Sequence, residues 1–240
     1  MKQMIPAVLS AIVLALAAGS ADAQIVNGNF NGLAGWSTGG DAASVGGSRL
    51  VLTNALSDGS DDAANVNVSG NDPLLAGGDL ETFVGVPAGA FDPDTANFVV
   101  AYEGSAAMQS FMATAGSRVS FTWDLGTLET STDPAVADAA YVVIDGQVIK
   151  LADTLSAATP IAGGSFASET GWMNASYTLT GSGPHSIAFV IADVGAFNDS
   201  SALSVTGVTL AASAVPESST FALFGAGLGL LGLQRRRRQV

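Results

Sequence analysis

Short runs of β-branched and aromatic residues, separated by glycine-containing turns, fill the stretch from residue 24 to residue 214. In the clearest of them, Val119, Phe121 and Trp123 alternate with polar side chains. Alternation with a period of two predicts a strand, here over 118–124, that buries one face. No long helical periodicity interrupts the runs, so the sequence predicts an all-β fold, an antiparallel β-sandwich of the jelly-roll type.

Two turn signals separate neighbouring strands. Asp145 and Gly146 are a two-residue hairpin signal, because glycine accepts a positive φ at no steric cost. They would join strands at 141–144 and 147–151. Residues 181–184, Gly-Ser-Gly-Pro, separate two further strands. The remaining predicted strands are 98–102, 187–191 and 203–210, with weaker candidates at 50–52 and 177–179.

The N-terminal segment has the organisation of a secretion signal. Lys2 supplies a positive start, and residues 5–18 supply an apolar stretch. Ala21 and Ala23 form a small-x-small cleavage site. The apolar stretch is shorter than the roughly 20 residues that a membrane-spanning helix needs, which disfavours a retained anchor. We therefore predict export through the Sec translocon and removal of residues 1–23 by signal peptidase.

The C-terminal segment, 215–240, has three consecutive parts. A motif at 215–220 precedes a glycine-rich apolar run at 221–233, and four arginines follow the run. The run predicts a single hydrophobic helix that enters a bilayer, and the arginines would hold its end at the cytoplasmic face. Because the run is short and its glycines lower helix propensity, it suits a transient anchor better than a permanent one.

This tail resembles the PEP-CTERM sorting signal of Gram-negative bacteria that make exopolysaccharide. The matching residues are Val215, Pro216, Glu217, Ser219 and Thr220 of the motif and Arg235, Arg236, Arg237 and Arg238 of the cluster. Ser218 stands where that family usually has a second proline. The resemblance implies processing near the motif by an exosortase, a membrane-embedded cysteine transpeptidase, after a transient stay in the inner membrane. An ordinary C-terminal tail anchor is the alternative.

Charge is distributed unevenly along the chain. All but two of the 21 acidic residues lie within 24–214, whereas only three of the eight basic residues do: Arg49, Arg118 and Lys150. Nucleic-acid binding needs clustered lysine and arginine to neutralise phosphates, so this balance argues against such a partner. It is compatible with bound divalent cations. The absence of cysteine excludes disulfides and thiolate chemistry.

The central domain carries a second resemblance. Residues 27–36, Asn-Gly-Asn-Phe-Asn-Gly-Leu-Ala-Gly-Trp, are similar to the first strand of bacterial carbohydrate-binding-like jelly rolls. The resemblance implies that Phe30 and Trp36 seal one end of the core. Asn31 stands where that family often has a glutamate of a structural calcium site. Segments that resemble sandwich domains of exosortase-sorted surface proteins are 121–124, 139–146, 151–154, 169–172, 193–195 and 201–203.

Two loops carry closely spaced carboxylates that suit a hard cation. Asp58, Asp61 and Asp62 lie in one loop, and Asp92 and Asp94 lie in the other. Calcium prefers such oxygen ligands. Neither loop has the EF-hand spacing, and aspartate also populates turns by bonding to its own backbone. A structural Ca²⁺ is therefore a candidate cofactor, with these residues as candidate ligands.

Aromatic side chains are the candidate ligand-binding residues, because an exposed ring face stacks on a sugar. Trp36 and Trp172 are the candidates among the tryptophans. Trp123 alternates with core residues and is predicted to be buried. Tyr102 and Tyr177 are further candidates.

Catalytic patterns are sparse. His185 starts an apolar strand just after a turn, and no residue near it in sequence completes a triad or a metal set. We therefore interpret it as a strand-edge residue. The paired carboxylates of a glycoside hydrolase need a defined separation, and the acidic residues here mostly occupy turn-like contexts. The sequence predicts a protein that is not an enzyme.

Three functions follow from these patterns. The leading hypothesis is an exported cell-surface or extracellular-matrix protein with a structural or adhesive role. The alternative is a carbohydrate-binding module that recognises exopolysaccharide. A glycoside hydrolase is the second alternative.

Overall fold

The computed structural model of the protein describes residues 24–161, 165–195 and 199–213. The predicted signal peptide, with Ala21 and Ala23, lies outside these residues. The predicted sorting motif, apolar run and arginine cluster lie outside them as well. The assignments of these two segments therefore stay predictions. No helix within the described ranges is long and apolar enough to cross a membrane.

Strands make up most of the described regular structure. In chain order they are β1 (Ser37–Gly39), β2 (Asp41–Val45), β3 (Arg49–Thr53), β4 (Leu74–Leu75), β5 (Ala101–Ala113), β6 (Arg118–Thr127), β7 (Ala139–Ile144), β8 (Gln147–Asp153), β9 (Thr159–Pro160), β10 (Ser168–Glu169), β11 (Met173–Thr178), β12 (Gly183–Val194) and β13 (Ser201–Ala211). The helical segments in the same ranges are α1 (Asp79–Val84) and three 3₁₀ turns, Thr95–Asn97, Pro134–Val136 and Thr154–Ser156.

The strands form two sheets that face each other as a sandwich. The six-stranded sheet has the order β1-β5-β12-β7-β8, with β4 also paired to β5. The seven-stranded sheet has the order β2-β3-β13-β6-β10-β9, with β11 also paired to β6. Every strand pair is antiparallel. The predicted all-β antiparallel sandwich is confirmed.

The main core lies between the sheets and arises from strand alternation. Val119, Phe121 and Trp123 of β6 are buried on one face, as their spacing predicts. Phe121 meets Phe189 of β12 edge to face, with ring centroids 4.8 Å apart. Burying a large apolar side chain contributes about 1.5–3 kcal/mol relative to leaving it exposed, so these contacts hold the two sheets together.

A second apolar cluster covers the outer face of the six-stranded sheet. Leu80 and Val84 of α1 and Phe91 of the following loop form one side of it. Tyr141 and Val143 of β7 form the other side, and β7 is therefore buried along its whole length. The outer face of the seven-stranded sheet carries partly exposed polar residues instead.

The Asn-Gly-Asn-Phe segment closes one end of the core. Asn27 adopts a φ of 52°, and its side chain donates hydrogen bonds to two backbone carbonyls of the same turn. Phe30 and Trp36 are buried with ring centroids 5.0 Å apart, which confirms that they seal the core. Gly28 is required because a Cβ there would lie 1.9 Å from the carbonyl oxygen of Val208.

The turn between β7 and β8 is the predicted hairpin. Asp145 and Gly146 adopt φ values of 51° and 77°, the positive pair that a two-residue hairpin needs. The strand predicted at 98–102 is wrong in its bounds. Phe98 is 87% exposed with a φ of 59°, and the strand is β5, Ala101–Ala113. Alanine and glycine are depleted in strands, so pairing with β12 rather than local propensity sets the length of β5.

Candidate functional site

A groove of about 430 Å³ lies on the outer face of the seven-stranded sheet. Strands β3, β13 and β6 form its floor, and residues 65–68 form one wall. Side chains near β10 form the opposite wall. The charged, polar and aromatic residues that line it include Arg49, Thr53, Asn65, Asp124, Phe166, Glu169 and Ser204. The groove therefore offers charged, polar and aromatic groups together.

Strand register explains why the floor is polar. Trp123 and Leu125 face the core, so Asp124 between them points to the outer face. Ser204 of β13 lies directly opposite Asp124. A hydroxyl and a carboxylate thus stand side by side on the floor, where both can bond to hydroxyl groups of a ligand.

Asp41 of β2 anchors the 65–68 wall. Its buried carboxylate accepts hydrogen bonds from the backbone N–H groups of Val68 at 2.9 Å and Ser69 at 2.7 Å. It also accepts one from the hydroxyl of Thr53. Hydrogen bonds to a carboxylate are stronger than neutral ones, so this contact fixes the loop against the edge of the sheet.

The opposite wall combines an aromatic ring with carboxylates. The ring of Phe166 lies over Gly126 so closely that a Cβ on Gly126 would come within 3.0 Å of it. Glu169 of β10 neighbours Asp124, and partial burial followed by the Asp124 charge raises the pKa of Glu169. The hydroxyl of Thr170 donates to Asp124 at 3.0 Å. An apolar ring beside hydrogen-bond acceptors matches the C–H and hydroxyl surfaces of a sugar.

A second depression, of about 350 Å³, adjoins the groove. Trp172 lines it and is 48% exposed. Val45 and Arg49 line both the depression and the groove, so the two form one continuous surface. The structure therefore presents the predicted Trp172 at the surface beside a polar groove, and its role in binding stays a prediction.

Trp36 is not available for sugar stacking. It is 7% exposed, and its ring packs against Phe30 and Phe189. Its Nε1 donates to the carbonyl oxygen of Asn27 at 3.3 Å. The prediction of Trp36 as a ligand-binding residue is therefore wrong, because the opening turn directs its ring into the core. Trp123 is buried, as predicted.

Three of the aspartates predicted as calcium ligands serve as local hydrogen-bond acceptors. Asp58 and Asp94 are exposed and accept from N–H groups of their own turns, and hydrogen bonds lower the pKa of both. Asp92 accepts from a backbone N–H of β5 at 2.9 Å. Asp61 and Asp62 turn inward instead. Across the described ranges no three acidic or histidine side chains form a ready-made metal-binding group.

His185 has a structural setting on β12. It is buried, it stacks on Phe111, and its Nδ1 lies 2.7 Å from the Asp145 carboxylate. Its Nε2 lies 3.2 Å from the carbonyl oxygen of Gly181. Both ring nitrogens are therefore engaged within the fold, which agrees with the interpretation of His185 as a strand residue.

One groove residue, Asp124, could be identified from the sequence, because the alternation of β6 places its side chain on the outer face. Other groove residues carry no distinctive sequence signal. Phe166 and Asn65 lie on loops that reach the groove only through the packing of distant strands. Tyr102 lies on β5 of the other sheet, and Tyr177 packs half-buried against the core, so neither lines the groove.

The fold and the groove together define a β-sandwich with a polar and partly aromatic open face. No protein-family model and no curated protein matches the sequence. Among solved structures, the chain is similar to the carbohydrate-binding module TmCBM61, determined in complex with β-1,4-galactotriose. The identity is 14%, the TM-score is 0.33, and the match covers 78% of this chain and 95% of that one.

Two further solved structures also match the chain. One is the enzymatically active domain of tailspike protein 4 from bacteriophage CBA120, with 11% identity, a TM-score of 0.31 and coverage of 78% of this chain and 21% of that one. The other is a family 35 carbohydrate-binding module from an environmental isolate, with 23% identity, a TM-score of 0.25 and coverage of 47% and 73%. With TM-scores below 0.5 these matches carry no argument about function, which rests on the groove.

Proposed function

We propose that the outer face of the seven-stranded sheet binds a neutral polysaccharide. The observation that carries the proposal is Trp172, an exposed tryptophan that adjoins a polar groove on one sheet face. An indole face stacks on the C–H face of a sugar ring, and neighbouring polar side chains bond to its hydroxyl groups. Phe166 adds a second aromatic surface at the far wall of the groove.

The charges of the groove favour a neutral ligand. Asp124 and Glu169 supply acceptors for sugar hydroxyl groups, and Arg49 supplies donors. The groove therefore has two carboxylates and one guanidinium, and the net charge of the whole chain is −13. Such a surface repels polyanions, so we expect neutral chains to bind better than uronate-rich or sulfated ones.

The same two carboxylates favour binding over hydrolysis. The side chains of Asp124 and Glu169 lie close enough to interact through a hydrogen bond. The paired carboxyl groups of retaining glycosidases stand about 5–5.5 Å apart, and those of inverting enzymes stand further apart. We therefore infer a non-catalytic role for this pair as hydroxyl acceptors.

Isothermal titration of the purified protein with a panel of neutral polysaccharides tests the proposal. Trp172→Ala should weaken binding about tenfold or more, which corresponds to about 1.4 kcal/mol. The matched control is Phe98→Ala, which removes an exposed aromatic ring from the loop before β5 and should leave the affinity unchanged. Absence of binding to every member of the panel, or an equal loss in both variants, would contradict the proposal.

We further propose that the domain acts outside the cell. The signal peptide and the PEP-CTERM-like tail predicted from the sequence support export by the Sec translocon and signal peptidase. They also support transient insertion in the inner membrane and sorting by an exosortase to the cell surface or the exopolysaccharide matrix. There the sandwich would have an adhesive or structural role through the polysaccharide that it binds.

Intact mass spectrometry of the protein recovered from the membrane and the medium of its host tests the sorting proposal. A mature species that begins at Gln24 and ends between Val215 and Thr220 would support it. Replacing Pro216 and Glu217 together by alanine should leave the tail uncut and the protein in the membrane. Unchanged processing of that variant would contradict recognition by an exosortase.

A further inference from the structure

A depression of about 310 Å³ lies on the same sheet face as the groove, near the beginning of β6. The polar side chains that line it belong to β6 and β11: Arg118, Ser120, Thr122, Asn174 and Ser176. Gly207 of β13 lines it as well. None of the described residues that line it carries a carboxylate. We call it the Arg118 depression.

Strand alternation directs these side chains outward. Phe121 of β6 packs in the core, so Ser120 and Thr122 on either side of it point to the outer face. Tyr177 of β11 packs against the core, so Ser176 beside it points outward as well. The Arg118 depression is therefore part of the open sheet face that also carries the groove.

Cross-strand pairing brings the polar groups together. Ser176 lies directly opposite Ser120 in register, and the Cβ atoms of such a pair are about 4.5–5.5 Å apart. The guanidinium of Arg118 donates a hydrogen bond from Nη2 to the Ser176 hydroxyl. Asn174 lies opposite Thr122 and accepts from its hydroxyl at 2.8 Å. One guanidinium and two serine hydroxyls thus meet at one place, with an amide next to them.

Most hydrogen-bond donors of the Arg118 depression have no partner in the protein. A guanidinium has five N–H donors, and Arg118 uses one of them for Ser176. Within the part of the chain that the structure describes, the Nδ2 group of Asn174 and the hydroxyl of Ser120 form no hydrogen bond. These groups can therefore donate to a ligand.

The positive charge of Arg118 is not neutralised by a neighbouring side chain. The ion pairs in the described ranges are those of Lys150 and His185, and Arg118 takes part in neither. Arg49 shares the groove with the carboxylate of Asp124. Arg118 is therefore the basic residue of this sheet face that lies apart from the carboxylates of the groove, and it attracts an anionic group.

A β-bulge leaves room for a ligand beside these donors. The register of β13 against β6 shifts between Thr206 and Thr209. Gly207 lies in this bulge with a φ of 64°, and a Cβ there would have no atom within 4 Å. Bulges are frequent next to binding sites because they change the direction of side chains. Here the bulge puts open space, rather than a side chain, next to the middle of β6.

We propose that the Arg118 depression binds the carboxylate of an acidic sugar unit, on a polysaccharide whose neutral part occupies the groove. The planar fork of a guanidinium matches a carboxylate with two parallel hydrogen bonds. One guanidinium balances one negative charge, whereas a doubly charged phosphate would be repelled by so acidic a chain. This proposal rests on the proposed function of the groove and specifies its ligand further.

The arrangement of charges favours isolated carboxylates. Arg118 and Asp124 are six residues apart on β6, so their Cα atoms are about 20 Å apart. A polymer with a carboxylate on every unit would place negative charges against Asp124 and Glu169 of the groove. A polymer with widely spaced carboxylates places one at Arg118 and neutral units along the groove.

Isothermal titration of the full-length purified protein tests the proposal with two forms of one polymer. The first form is the neutral polysaccharide that binds most tightly in the panel, and the second is the same polymer lightly oxidised at its primary hydroxyl groups to isolated carboxylates. The oxidised form should bind about fivefold more tightly, as expected for one exposed ion pair. This difference should disappear when NaCl rises from 0.05 to 0.5 M, or when the carboxylates are methyl-esterified.

Two variants and a matched control locate the carboxylate site. Arg118→Gln should give both forms of the polymer similar affinities, and Asn174→Ala should reduce the difference between them. The control Lys150→Gln removes the same charge from β8 of the other sheet and should keep the difference. An oxidised form that binds no more tightly than the neutral one, or a difference that persists in Arg118→Gln, would overturn the proposal.

A monosaccharide probe separates this proposal from that of the groove. Sodium glucuronate, but not glucose, should shift the amide resonances of Ser120 and Ser176 in NMR spectra of the unaltered protein, and the shifts should be absent in Arg118→Gln. If no neutral polysaccharide binds but these shifts occur, the groove proposal fails and the carboxylate site is retained. If glucuronate shifts neither resonance, the carboxylate site is refuted even where neutral polysaccharides bind.

Discussion

Asp41→Ala probes whether one buried carboxylate holds the wall of the groove. The side chain is fully buried and accepts hydrogen bonds from Val68, Ser69 and Thr53. A hydrogen bond to a charged group contributes about 1.5–3 kcal/mol. The N–H groups of Val68 and Ser69 lie near the surface and can reach water in the variant, so the lower value applies to each. The two bonds together give an expected loss of about 3 kcal/mol in the free energy of unfolding.

Urea unfolding and polysaccharide titration together measure this effect. Asp41→Ala should lower the midpoint of unfolding and also weaken binding, because the 65–68 wall is no longer fixed to the sheet. The control is Asp79→Ala, an exposed carboxylate in the first turn of α1, which should change stability by about 0.5 kcal/mol or less. A loss below about 1 kcal/mol with unchanged binding would refute the reasoning that Asp41 anchors the wall.

Three further changes test other contacts. Gly28→Ala should destabilise the protein by about 3 kcal/mol or more in urea unfolding, because its Cβ would lie 1.9 Å from the carbonyl oxygen of Val208; a loss under about 1 kcal/mol would contradict this contact. Burial, followed by the charges of Asp61 and Asp72, raises the pKa of Glu103 to about 7, so the folded state binds its proton more tightly than the unfolded state. The contribution of Glu103 to the free energy of unfolding is fully present below about pH 4.5. It is lost as the pH rises through 7, and the loss reaches up to about 3 kcal/mol. Glu103→Gln should remove this part of the pH dependence, and an unchanged profile between pH 5 and 8 would contradict it. Gly126→Ala should displace Phe166 and change polysaccharide affinity several-fold in titration with little effect on Tm, whereas unchanged affinity would remove Phe166 from the binding surface.

Strands that carry their own pattern were predictable from the sequence. In β6 the apolar residues alternate, and the Asp145–Gly146 turn needs positive φ values that glycine accepts at no steric cost. Both signals are local, since they depend on neighbouring residues only. β5 is different. Its alanines and glycine have little strand preference, and only the pairing with β12 along its whole length makes it a strand.

The candidate site residues also divide into those that the sequence identifies and those that only the structure identifies. The sequence singles out Trp172 as a tryptophan that could stack on a sugar, and the structure places it at the surface. It also singles out Trp36, whose ring the opening turn directs into the core. Residue type is the same in both cases, so burial could not be read from it. Phe166 belongs to a surface that forms only when distant strands meet.

By itself the sequence determined the all-β class, the β7–β8 turn and an acidic domain without disulfides, because these depend on local conformational preference and composition. Only the tertiary structure decided which sheet face is open: α1 and the loop after it cover the six-stranded sheet and leave the groove on the other. It alone brought together the buried carboxylates of Glu103, Asp138 and Asp193, which lie in separate segments of the chain. Sheet pairing is long-range, and the burial of a side chain is settled by the strands that pack against it rather than by its neighbours in the chain.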